Sequence, residues 1–320
     1  MGLVDIQHLN VTYVMKEKCV TAVNDVSFSI EKGKPLGVVG ESGSGKSTLA
    51  MAILRLLSKD TLVEGTVDFM GKDLLHCSER EMQELRWKSI SVVFQKSMNI
   101  LSPVHKIGRQ LKDIYRVHDE KAPAKEVQEK LSRLFAMVGL PERALNAYPH
   151  ELSGGMLQRV SIACSLMHKP PFIIFDEATT ALDVITQGQI IREIKKLRYT
   201  MDITWLLITH DISVVSSCCE TVAVLYAGKL MEYGDVKTVI SHPVHPYTQG
   251  LLRSFPTLHG EKVNLRGIFG SMPDLSDQQK GCVFSSRCPH AQKRCFCECP
   301  AQQSLGENHT AACFFAGEVK

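Results

Sequence analysis

The 320-residue sequence predicts an α/β fold: a mostly parallel sheet, an antiparallel β portion, a helical insert and a small Cys-rich C-terminal module. Three observations carry that expectation. Apolar runs the length of buried strands alternate with helical patterns, the order that builds parallel sheets. From about Ser97 to Leu166 the pattern turns helical. Beyond about Ser241 periodicity gives way to Pro, Gly and Cys.

In order along the chain, residues 1–34 read as two alternating strands, VDIQHLNVTY and AVNDVSFSI, parted by a Lys- and Glu-rich loop. The apolar run Leu36–Val39 ends in a glycine-rich loop, followed by a helical stretch from Thr48 to about Leu57. Strands Thr66–Phe69 and Ile90–Phe94 flank a helix that Ser78 is placed to cap. Val127, Leu131, Leu134, Phe135 and Val138 form an apolar stripe at spacings of three and four. Strands return at Phe172–Phe175, Thr204–Thr209 and Thr221–Tyr226, with a helix from about Thr186 to Tyr199. No internal repeat is evident, so one nucleotide domain is expected over residues 1–240, with its helical subdomain at about 97–166 and an extension over 241–320.

Composition narrows the class. Charged residues make up 22% and hydrophobic residues 44%, ordinary for a globular protein. The net charge of +3 is not gathered into a basic stripe, so no nucleic-acid partner is expected. No apolar run approaches the roughly 20 residues that span a bilayer. MGLVDIQHLN lacks a basic stretch followed by an apolar one, and Ile6 stands where a myristoylation signal needs Ser or Thr. The chain is therefore expected in the cytosol, or held at a membrane through partner subunits.

Gly40-Glu-Ser-Gly-Ser-Gly45-Lys46-Ser47 satisfies G-x-x-x-x-G-K-[ST] between a strand and a helix. Such a loop, including Ser42, Gly43, Ser44 and Thr48, turns successive N–H groups and a helix start toward phosphates. Lys46 brings a point charge to the β- and γ-phosphates of ATP, and the Ser47 hydroxyl ligates Mg²⁺. The strand Phe172–Phe175 runs into Asp176 and Glu177. Asp176 is placed to contact Mg²⁺ and Glu177 to orient the attacking water. The bland alternative, two acids ending a strand, loses force beside this loop.

Leu152-Ser153-Gly154-Gly155-Met156 narrows the assignment. With it the chain resembles the nucleotide-binding subunits of ABC transporters, P-loop NTPases whose signature is LSGG. The supporting motifs stand in that family's order. Gln95 ends a strand at the Q-loop, Thr180-Ala-Leu-Asp183 resembles the D-loop, His210 the switch histidine, and Tyr13 the aromatic that stacks on adenine. The resemblance makes Lys46, Gln95, Glu177 and His210 the catalytic set, with Ser47, Gln95 and Asp176 at Mg²⁺. Ser153, Gly154 and Gly155 precede an apolar helical run, an anion-binding start. In the family it faces the ATP held by a second subunit.

Tyr148-Pro-His-Glu-Leu-Ser-Gly-Gly-Met156 and His245-Pro-Tyr-Thr248 with Leu251-Leu252 resemble the dipeptide, oligopeptide and nickel permease ATPases. Met156 and Thr180-Ala-Leu-Asp183 resemble the first, D-like member of their ATPase pair. The resemblance implies a sister ATP-binding subunit, a homodimer being the second reading. It further implies two transmembrane permease subunits, an extracytoplasmic solute-binding protein, and import of peptides, with nickel or a metal chelate behind. A soluble ABC ATPase of ribosomes or DNA is the rival from another class; HPYT and the Cys segment have no role there. Lys96–Pro103 matches the relatives only in part.

Six of the eleven cysteines lie beyond residue 281: Cys282, Cys288, Cys295, Cys297, Cys299 and Cys313. In a chain without a secretory signal such crowding favours metal over disulfides. Cys282, Cys288, Cys295 and Cys313 resemble the motif that holds a [4Fe–4S] cluster in some members of the group, although Phe314 stands where relatives often have His. Zinc and free thiols stay open as alternatives. Cys19, Cys77, Cys164, Cys218 and Cys219 are expected to be ordinary thiols, mostly buried.

Overall fold

The computed structural model of the protein describes residues 2–16, 18–94, 101–178, 184–254, 267–276 and 280–318. The chain opens with β1 (Val4–Val14), β2 (Cys19–Ile30), β3 (Leu36–Val39), α1 (Lys46–Ile53), β4 (Thr61–Phe69), β5 (Lys72–Asp73), α2 (Glu79–Leu85) and β6 (Ile90–Val93). There follow α3 (Ile107–His118), α4 (Ala124–Met137), α5 (Gly154–Ser165), β7 (Phe172–Asp176), α6 (Val184–Met201), β8 (Thr204–Thr209) and α7 (Ile212–Cys218). Last come β9 (Thr221–Tyr226), β10 (Lys229–Asp235), α8 (Val236–Ser241), α9 (Pro246–Arg253), α10 (Lys293–Cys297), β11 (Gln303–Ser304) and β12 (His309–Ala311). Two compact units form, one of residues 1–77 with 207–320 and one of residues 78–206.

The first unit contains two sheets. β2-β1-β4-β5 is antiparallel, as the alternating strands predict. In the other, β3 pairs in parallel with β9 (Val38↔Ala223), β9 antiparallel with β10, and β10 with β12 (Tyr233↔Thr310). Leu36, Val38 and Val39 are wholly buried, as are Val222 to Tyr226, which explains the continuous apolar runs: both faces of these strands are covered. The C-terminal tail is sewn into this unit by β12 and by hydrogen bonds such as Ala312 N–H to Met231 O (2.8 Å).

Two features here differ from the expectations. HPVHPYT, expected as irregular chain, supplies His242 as the C-cap of α8 and holds the start of α9. His245 caps α9 through its ring, Nδ1 accepting from the Tyr247 N–H at 3.0 Å, and Pro246 sits at the first helical position. Short helices with two prolines nearby leave little periodicity to read. The five other cysteines are also less buried than expected: Cys164 and Cys219 are buried, Cys77 and Cys218 half-buried, and Cys19 exposed on an edge strand.

The second unit is led by helices. Val127, Leu131, Leu134, Phe135 and Val138 are all buried, so the stripe read at spacings of three and four is the core face of α4 and the residue after it. Ser78 caps α2 in a full capping box with Glu81, worth about 1 kcal/mol. β6 and β7 pair in parallel, Ile90 opposite Phe172.

Candidate nucleotide-binding site

In the first unit β3 delivers the chain into the loop Gly40–Ser47 and α1 leaves it. Gly45 caps α1 at φ 98°, a left-handed conformation that L side chains avoid, and a Cβ there would strike the Ala22 carbonyl oxygen. A Cβ on Gly40 would likewise strike the Leu225 carbonyl. Glycine is therefore required by neighbouring backbone as well as by any phosphate. The start of α1 carries no side-chain cap, so its N–H groups point out of the helix toward whatever fills the loop.

Lys46 is buried, 5% exposed, and its ammonium is folded over the loop. Nζ donates to Gly40 O at 2.9 Å, Glu41 O at 2.8 Å and Ser44 Oγ at 3.3 Å. Those three acceptors hold a cation at the loop's centre, which fits a polyphosphate. Ser44 is wholly buried, whereas Ser42, Gly43 and Ser47 are exposed. Tyr13 on β1 reaches this region, its hydroxyl 3.2 Å from Thr48 Oγ1. His210 stands exposed just beyond β8 in the same unit, and Asp211 after it caps α7 through the Ser213 N–H at 2.8 Å.

The second unit holds the remaining described candidates. Asp176 ends β7 and is 7% exposed. Glu177 follows in left-handed backbone, φ 47°, and is half-buried. A non-glycine residue there stores on the order of 1–3 kcal/mol, a strain found most often at working sites. Ser153 is the N-cap of α5; its hydroxyl accepts from the Met156 N–H at 3.4 Å. Ser153 is exposed and Gly154 and Gly155 are half-buried, so this helix start is open to solvent. Gln95 and Asp183 lie outside the described residues.

The family described as "ABC transporter" matches residues 23–180, and "Oligopeptide/dipeptide transporter, C-terminal region" matches residues 231–295. The oligopeptide transport ATP-binding protein OppD of Salmonella typhimurium is 40% identical over 98% of this chain and 93% of its own length. The chain belongs to the ABC transporter ATP-binding family. The dipeptide transport ATP-binding protein DppD of Bacillus subtilis is 38% identical over 98% of the chain and 94% of its own length. Among solved structures, a dimeric ATP-binding cassette in a post-hydrolysis state with ADP and Pi superposes with a TM-score of 0.66 at 30% identity, covering 73% of this chain and 98% of that one.

The tail of this ABC chain gathers its cysteines only loosely. Cys282, Cys288, Cys295 and Cys313 line one small cavity with Phe284, Phe314, Phe315, Pro246 and Pro300. Burial pushes the Cys282 thiol up to about 11, and raises Cys288 and Cys313 too, so without a cation these groups stay protonated. Four soft donors in an apolar shell suit a cluster in kind. Among the described residues, however, no group of three or more Cys, His, Asp or Glu side chains is arranged to hold a metal ion. Cys297 and Cys299 are exposed.

Sequence reading missed a set of residues around this loop. Glu41 is ion-paired with Arg287 (2.9 Å), 246 residues away, and its N–H donates to Tyr247 Oη at 2.9 Å. Glu232, fully buried, accepts from the N–H groups of Val244 (3.1 Å) and His245 (2.9 Å) and pairs with His309 Nε2 at 2.9 Å. No local pattern marks such pairs; only the polar identity of residues among apolar neighbours hints at them.

Proposed function

We propose that this chain binds and hydrolyses ATP as the ATP-binding subunit of an ABC importer, and that the cargo is di- or oligopeptides. The observation that carries the reading is the Lys46 ammonium folded over a glycine loop at an uncapped helix start. The 38–40% identity to OppD and DppD over nearly full length supports peptides over nickel, a metal chelate, or work on ribosomes or DNA.

On this reading Gly40 to Thr48 cradle the phosphates and Tyr13 stacks on adenine. Ser47, Gln95 and Asp176 would hold Mg²⁺, which supplies charge neutralisation at the β- and γ-oxygens. Glu177 orients the attacking water, and Gln95 and His210 respond to the γ-phosphate. Ser153, Gly154 and Gly155 serve the nucleotide of a second subunit, with Asp183 in the D-loop; the dimeric state of the similar cassette solved with ADP and Pi supports this arrangement. The functional division falls at about residue 240, with a helical part at about 97–166 and a Cys-rich extension over 241–320.

The second ATP-binding subunit is a sister chain, with a homodimer as the competing arrangement. Two permease subunits and an extracytoplasmic binding protein complete the system, which puts the chain on the cytoplasmic face of the membrane as a peripheral subunit. No described helix is long and apolar enough to cross a bilayer, which agrees with attachment through partners. Cys282, Cys288, Cys295 and Cys313 would hold a [4Fe–4S] cluster; the shared cavity supports this, and colourless, iron-free protein from anaerobic purification would remove it.

Glu177→Gln should bind ATP, hydrolyse it at least about 10²-fold more slowly, and accumulate as an ATP-dependent dimer on size exclusion. A monomeric profile with ATP together with unimpaired turnover would end this reading.

A further inference from the structure

Glu41 sits inside the phosphate loop and is held from three sides. Its N–H donates to the hydroxyl of Tyr247 at 2.9 Å. Its carbonyl accepts from Lys46 Nζ at 2.8 Å and from the Ser44 N–H at 3.2 Å. Its carboxylate accepts twice from Arg287 Nη1, at 3.1 and 2.9 Å. Tyr247 belongs to the HPYT segment and Arg287 to the turn just before Cys288, so both outer contacts come from chain far beyond the loop.

Those two residues are themselves fixed. The Tyr247 ring is wholly buried against Tyr226 (centroids 4.6 Å) and Phe284 (5.3 Å). The Arg287 side chain is 5% exposed. It spends its remaining donors on Ile268 O (3.1 Å), Phe269 O (2.9 Å) and Tyr226 Oη (3.1 Å). A guanidinium hydrogen-bonded at each of its three nitrogens and a phenol locked in an aromatic cluster make a stiff support. A fully exposed ion pair would contribute almost nothing; here the Arg287 side is buried while the Glu41 side chain keeps 29% exposure, and removing either partner leaves the other group without its bonds.

We propose that Tyr247 and Arg287 are positioning residues that hold Glu41, and through it the phosphate loop, in the conformation that receives ATP. The proposal rests on the reading of Gly40–Ser47 as the ATP loop. Its physical content is preorganisation. Unsupported, a loop of three glycines must be ordered when nucleotide binds, and that cost weakens affinity. With Glu41 pinned at its N–H, carbonyl and carboxylate, the peptide that presents the carbonyl to Lys46 is already in place. The C-terminal extension is thereby part of the support of the nucleotide site.

The test is a double-mutant cycle on the full chain, reading the Kd of MgATP by fluorescent-nucleotide displacement beside thermal unfolding of the nucleotide-free protein. Glu41→Ala and Arg287→Ala should each weaken ATP about tenfold, and the double variant no more than either alone, because one link is cut in all three. Tyr247→Phe keeps the ring and removes the hydroxyl, and should weaken ATP about threefold with an unfolding temperature unchanged. Arg287→Glu combined with Glu41→Arg should regain affinity relative to either single reversal. Affinity within twofold of wild type in both alanine variants, or losses that multiply in the double variant, would overturn the proposal. So would losses that merely follow a falling unfolding temperature. Lys46→Ala separates the two ideas: if it abolishes binding while the Glu41 and Arg287 variants bind normally, the ATP loop stands and the brace is gone. If the unmodified chain binds no MgATP, both go.

Discussion

Helix α1 and helix α5 both start beside glycines, and the two starts are built in opposite ways. At α1 no side chain caps the helix, a lysine is folded over the opening, and the loop is hemmed in by Ala22, Leu225, Tyr247 and Arg287. At α5 Ser153 caps the helix through Met156 N–H, and the serine and its glycines remain open to solvent. An enclosed start with its own cation is suited to keep a polyphosphate; an open start without one suits an anion that arrives already bound elsewhere. On the proposed reading the same helix-terminus physics is deployed once as a holder and once as a reader.

The largest expected effect falls on the holder. Lys46→Ala should lower ATP turnover at least about 10³-fold, since it removes the ammonium folded over the loop, and phosphate release measures it. Residual turnover within tenfold would erase the contrast. Next is the reader. Gly154→Asp puts a negative charge in the first turn of α5, which favours the helix itself but repels phosphate. Turnover should drop about 10²-fold while the chain's own Kd for MgATP stays within twofold. A matching loss of affinity would mean that the two starts share one role.

Smaller effects probe why the first start is enclosed. Glu232→Ala leaves two backbone N–H groups and His309 without their buried acceptor, and should cost about 3 kcal/mol in urea unfolding. If α9 is the prop that carries Tyr247, affinity for ATP should fall with it. The most gradual effect is a slope with pH. Burial holds the His245 imidazole down at about 3, against 6.5 when unfolded, so the fold refuses a proton the unfolded chain accepts. Stability should be level above about pH 6.5 and decline below it, by at most about 1.4 kcal/mol per unit, until about pH 3. His168 in the second unit, lowered to about 4 chiefly by burial, acts in the same direction. His245→Asn should flatten part of the decline, and an unchanged curve would show that the cap on α9 does not carry it.

Much of this was legible from residues alone, and the limits have physical causes. β3, β8 and β9 fall where their apolar runs lie, because a strand covered on both faces must be apolar throughout. The α4 stripe is a buried face because helical spacing and burial coincide there. The phosphate loop is readable because glycine, lysine and serine are needed at fixed offsets within one turn. β10, α7 and α9 were not separated out, being short segments whose ends are set by neighbours. Arg287 gave no signal: an arginine before a cysteine looks like solvated surface until its partner is known.

What the sequence determined by itself was therefore the order of elements, the two glycine helix starts and the family, all of them local patterns. What only the tertiary structure decided was which residues close on those patterns: Arg287 on Glu41, Tyr247 on its N–H, and Glu232 on the two N–H groups just before α9 and on His309 of β12. Local geometry is encoded by spacing along the chain. A pairing such as Glu41 with Arg287, 246 residues apart, depends on where the whole fold brings two groups together, and no spacing rule records that.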